Sequence, residues 1–184
     1  AVLDTIEKSV SNLKELLLSG EKAVRLARVP DEYLNRFNSL VSSVKIDALL
    51  NAKDTDWLFE NKPSIGVSET PELIYIEELK DGLALVFNSS REQTSKVTIP
   101  ASVLPEDYRK DNDEFYALRR TIIRCIDVVY FDTARNIIEL RVDNHAEFSQ
   151  SERNKAYEML EAALIEFCDR SLCDRIELNV IELF

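Results

Sequence analysis

Apolar residues recur at three- and four-residue steps from the start of the chain, at Leu3, Ile6, Val10, Leu13 and Leu17. That spacing puts them on one face of a helix over 3–19, with Gly20 as its stop. A second helical pattern starts at Pro30-Asp31-Glu32 and continues through Leu34, Phe37, Val41, Val44 and Ala48. Pro and acids are N-terminal helix signals. Residues 21–28 read as a continuation of either helix. Together these segments predict an N-terminal helical layer, an αα-hairpin.

The period changes after residues 61–72, which hold Pro63, Gly66 and Pro71 and read as a linker. Leu73–Leu79 and Leu83–Phe87 are strand-like, and Lys80-Asp81-Gly82 between them predicts a tight hairpin through the positive φ that Asp-Gly supplies. Lys96–Ile99 reads as a third strand ended by Pro100. Residues 115–130 fit both periods; the β-branched and aromatic density of 121–131 favours a strand there, after a short helix to about 119. Asp132–Asn136 reads as a turn. Ile137–Val142 alternates, with Ile138, Leu140 and Val142 on one face.

Ser149-Gln-Ser-Glu152 is a capping box, in which hydroxyl and carboxylate satisfy each other's free backbone N–H groups. It opens a helix over 150–168 with Ala156, Leu160, Ala163, Leu164 and Phe167 on one face. Arg175–Leu183 reads as the last strand. The fold class expected is α+β: the N-terminal helical layer, then a mainly antiparallel sheet with one packed C-terminal helix. The division expected is 1–61 helical, 62–72 linker and 73–184 sheet plus helix. Ile138, Leu140, Val142, Leu160, Phe167, Ile176 and Leu178 are the expected core.

Charge narrows the function classes. The chain has 184 residues, 34 acidic against 23 basic, for a formal net charge of −11. Such a surface repels phosphate, so nucleic acid is not an expected partner; the local exception is Arg119, Arg120 and Arg124, followed by Asp127. Three cysteines at irregular spacing are no disulfide framework, which points to a reducing, cytoplasmic setting. No apolar run approaches the ~18 residues of a membrane span. The strand pattern that runs to Phe184 suggests a domain of a larger protein.

The inventory for catalysis is short. His145-Ala-Glu147, followed by Cys168 and Cys173, resembles the ligand and proton-shuttle set of zinc-dependent nucleobase deaminases. The resemblance covers four residues. No Pro precedes Cys168, the cysteines are spaced wider than in that signature, and a helix fills the interval where that fold has a strand. Stoichiometric zinc is therefore not expected, and no cofactor is. A metal-nuclease pattern is matched loosely by Asp56 with Glu78 and Lys80, and by Asp132 with Glu139 and Arg141. Asp111–Glu114 reads as a helix N-cap rather than a calcium loop. One His permits at most one Ser-His or Cys-His pair, and Gly20, Gly66 and Gly82 are too scattered for a phosphate loop.

Leu3, Ile6, Val10, Leu13 and Leu17 hold heptad spacing and read as a helix–helix seam, in a homodimer or with another protein. The function expected is therefore non-enzymatic protein–protein interaction or assembly. Alternatives are an acidic inhibitor or immunity-type protein covering a basic enzyme site, and a metal-dependent hydrolase of nuclease or deaminase type.

Overall fold

The computed structural model describes residues 20–28, 69–108, 114–145, 148–172 and 179–181, and isolated positions between Lys8 and Leu18 and between Asn35 and Ser42. The strands are β1 (Lys22–Arg28), β2 (Glu72–Leu79), β3 (Gly82–Thr98), β4 (Tyr116–Asp132), β5 (Ile137–Asp143) and β6 (Asn179–Ile181). One continuous helix, α1 (Gln150–Leu172), stands among the described residues, with two 3-10 turns at Ala101–Val103 and Glu106–Tyr108. The strands form one sheet in the order β2-β3-β4-β5-β1-β6, and every recorded pairing is antiparallel.

The expected N-terminal helical layer with an αα-hairpin is overturned. Residues 22–28, read as helix, are β1, paired to β5 on one side and β6 on the other. Two sheet edges offer that segment backbone partners, and tertiary pairing overrides its mixed local pattern. Leu18, just before it, is buried against Ala84, Val86, Ile126, Val128 and Tyr130 on one sheet face.

Two further expectations change for the same reason. The separate strand at 96–99 belongs to β3, which runs unbroken from 82 to 98. The short helix before 119 is strand, because β4 pairs with β3 over its whole length, from Gly82↔Asp132 to Thr98↔Tyr116. Glu114 accordingly leads into β4, not into a helix, and Ile99 N donates to Phe115 O at 2.8 Å to close the ribbon's end.

Other patterns translate directly. β5 alternates, and Ile138, Leu140 and Val142 face α1. Ser149 N donates to the Glu152 carboxylate at 2.6 Å, and Glu152 N donates to Ser149 Oγ at 3.2 Å, so the capping box starts α1. Leu160 and Leu164 join Leu83, Leu85, Phe87, Val129 and Phe131 in the core between helix and sheet, with Phe167 packed at its margin. Full burial of one such side chain contributes about 1.5–3 kcal/mol. The expected core positions Ile176 and Leu178, and most of the linker at 62–72, lie outside the described residues.

The 79–82 hairpin forms, but Gly82 serves a different purpose from the one expected. Its φ is not in the left-handed region; instead a Cβ there would lie 1.9 Å from the Phe131 carbonyl oxygen. Positive φ is used at Asn136 (55°), in the turn after Asp132.

Candidate functional site

β4 is 17 residues long, yet β5 pairs only with Val128–Asp132 of it. Likewise β2 ends on β3 at Glu72↔Asn88. Beyond those points 89–98 and 116–125 pair only with each other among the described residues, forming a two-stranded arm about 33 Å long at the usual rise.

At the base of the arm, where β4 leaves β5, two carboxylates replace the missing ladder. Asp143 N donates to Asp127 Oδ1 at 3.0 Å, and Ile126 N donates to Asp143 Oδ2 at 2.6 Å. Asp127 is fully buried, and its other oxygen accepts from the Arg91 guanidinium and from Ser89 Oγ at 2.9 Å. Asp143 Oδ1 accepts from the Lys22 ammonium, which also reaches Ile126 O at 2.5 Å. Arg91 Nη1 adds a bond to Asp143 O at 3.2 Å. Two cations and two carboxylates thus tie β1, β3, β4 and β5 together. Burial works against the Arg91 cation, but Asp127, helped by Asp143, outweighs it and raises its pKa.

Cys125 and His145 border this network. Burial pushes the Cys125 thiol up to about 12, against the pull of Arg91 and Lys22. His145 is exposed, its ring edge-on to Phe148 at 5.3 Å. Cys125 Sγ, an Asp143 carboxylate oxygen and a His145 ring nitrogen lie within 4.8 Å of one another, a donor set able to hold a metal. Beside the arm base, an open cleft of about 100 Å³ is lined by Arg91, Glu92, Glu152, Lys155 and Met159, and the Lys155–Glu69 ion pair, 2.8 Å, lies along it.

The sequence-derived candidates fare differently. His145 is placed as above; Glu147 and Cys173, and the side chain of Cys168, lie outside the described residues, and α1 runs unbroken through Cys168. The seam residues Leu3, Ile6, Val10, Leu13 and Leu17 also lie outside them, as does Asp56. Asp132, Glu139 and Arg141 do meet, but as a closed chain of ion pairs. Arg135 contacts Asp132 at 2.6 Å and Glu139 at 2.7 Å, and Arg141 takes the other Glu139 oxygen at 2.8 Å. Burial opposes charge on Asp132, yet the Arg135 N–H and guanidinium hold its carboxyl below the usual range. These acids are ion-paired to their own neighbours.

Sequence reasoning missed Asp127, Asp143, Arg91, Lys22 and Cys125. One signal was available: Asp127 sits in the apolar run 126–131 at an inward position, in phase with Val129 and Phe131, where a charge needs a buried partner. The partners in the network come from residues 16 to 121 positions away and carry no local mark. Compared with protein-family models, curated proteins and solved structures, the chain matches none, so its reading rests on the arm and this network.

Proposed function

We propose that this chain is a non-enzymatic protein-assembly domain whose β3–β4 arm docks on the acidic body of a second copy. The observation that carries this reading is the make-up of the arm. On one face it presents Leu118, 67% exposed, Ile122, 57% exposed, and Tyr116, interleaved with Lys96, Arg120 and Arg124. Three large apolar side chains on a solvent-facing ribbon mark an interaction surface better than a solvated one.

Charge selects the occupant. Arg91 is paired with Asp127 at the base; beyond it, 92–98 and 116–125 hold Lys96, Arg119, Arg120 and Arg124 against Glu92 alone. The whole chain is −11 and that stretch is +3, so the remainder is −14. Two arms repel each other, whereas arm against body is favourable, and a twofold axis repeats that contact once in each direction. Among the described residues no further strand pairs with the arm, and a neighbouring sheet can add backbone hydrogen bonds along it. No helix among the described residues is long and apolar enough to cross a membrane.

The test is light scattering on the purified chain at about 100 μM, well above the ~1 μM Kd of a modest dimer, at low and high salt. A dimer is expected that weakens with salt and becomes monomeric in Leu118→Asp/Ile122→Asp with unchanged circular dichroism. A monomeric wild type, or a dimer indifferent to both arm substitutions, would overturn the reading. So would arm-dependent binding of a nucleic-acid duplex in place of dimerisation, since it would assign the basic ribbon to phosphate.

A further inference from the structure

We propose that Cys125, Asp143 and His145 form a binding site for one zinc-class divalent metal ion at the point where β4 and β5 separate. Cys125 comes from β4 and Asp143 from the end of β5, and His145 follows two residues later, beyond the strand. The strands stop pairing at Val128↔Arg141, and the gap that opens holds the three donor atoms within 4.8 Å of one another. A tetrahedral zinc at the usual 2.0–2.3 Å bonds needs ligand atoms about 3.3–3.8 Å apart. An inward shift of about 1 Å closes that difference. The exposed imidazole, on a segment beyond the ladder, is the donor free to turn.

The donor types select the ion. Thiolate sulfur, imidazole nitrogen and carboxylate oxygen are a borderline-soft set, suited to zinc or cobalt and unsuited to calcium or magnesium, which take oxygen. On binding, the Cys125 S–H bond breaks, its proton passes to solvent, and the sulfur lone pair bonds the metal. Three protein ligands leave a fourth position for water.

The surroundings resemble those of a supported ligand shell. Asp143 is held by the Lys22 ammonium at Oδ1 and by Ile126 N–H at Oδ2, and each oxygen keeps a second lone pair for a metal. Such outer hydrogen bonds orient metal ligands. Asp127 and Asp143 balance Arg91 and Lys22, so the ion enters a network with no net charge of its own. Access runs from the side of His145, which is exposed, while Cys125 closes the inner wall.

The test uses the full chain, reduced and stripped of metal, titrated with cobalt(II) and then with zinc. One equivalent of cobalt should give a thiolate-to-metal charge-transfer band with tetrahedral d–d absorption, and zinc should displace it. The band should persist in Cys168→Ser/Cys173→Ser and vanish in Cys125→Ser. His145→Ala, which removes an exposed ring and its edge-on contact with buried Phe148, should weaken cobalt at least tenfold with unchanged circular dichroism; it decides the matter even if Cys125→Ser does not fold. A wild type without the thiolate band, a band that follows Cys168 and Cys173 instead, or His145→Ala binding as tightly as wild type would each overturn the proposal.

Discussion

Replacing Asp127 by Ala removes the acceptor from three donors at once: the Arg91 guanidinium, Ser89 Oγ and the Asp143 N–H. Hydrogen bonds to a charged group contribute about 1.5–3 kcal/mol each, but they are not additive. Breaking a buried ion pair by deleting one partner costs about 3–5 kcal/mol, because the remaining charge is left without compensation. Here Asp127 has no exposed surface, while the Arg91 side chain is 14% exposed and keeps its bond to Asp143 O. That residual solvation places the expected loss near the lower end, at about 3 kcal/mol. A single domain with a total stability of about 5–15 kcal/mol survives it and remains measurable. Urea unfolding followed by circular dichroism reads the loss as a lower midpoint at constant slope. Adding Arg91→Met to Asp127→Ala should recover part of it, with a coupling of about 1–3 kcal/mol in the double-mutant cycle. A loss below about 0.5 kcal/mol, typical of exposed sites, or a cycle with no coupling, would refute the network as the element that joins arm to body.

Three further outcomes follow from the geometry. Ser149→Ala should cost about 1 kcal/mol through loss of the α1 cap, read in the same unfolding assay; an unchanged midpoint would contradict the capping box. The Glu152 carboxyl is held below its usual range by its hydrogen bonds with Ser149, so its contribution is complete above the unfolded value of about 4.3 and is lost as pH falls through the folded one. The stability gap between wild type and Glu152→Gln should accordingly narrow below about pH 4.3, and a gap that widens there would reverse the assigned direction. Gly82→Ala places a Cβ against the Phe131 carbonyl oxygen and the Tyr130 ring, and should cost about 1–3 kcal/mol as the β3–β4 pairing shifts. An unchanged melting temperature would show that the approach is not tight.

Local chemistry was enough wherever a segment's partners lie within a few residues. The capping box needs only Ser149 and Glu152, and the alternation of 137–143 needs only one sheet face against water. Both are legible because period and cap are properties of consecutive residues. Residues 22–28 are different. Lys-Ala-Val-Arg-Leu-Ala-Arg suits a helix as well as a strand, and its state is decided by the edges of β5 and β6, contributed from more than 100 residues away. Residues 116–120 are strand for the same reason: the ladder to β3 supplies their hydrogen bonds whatever their propensity. Basic residues at 91, 96, 119, 120 and 124 are visible as letters, but only the antiparallel register gathers them onto one arm. The meeting of Cys125, Asp143 and His145, and the exchange of carboxylates between Asp127 and Asp143, exist only because two strands part at one place. Periodicity reports which face of an element avoids water. Which elements meet, and which charges they bring together, is set by backbone groups that must find partners once they are buried, and those partners are chosen in three dimensions.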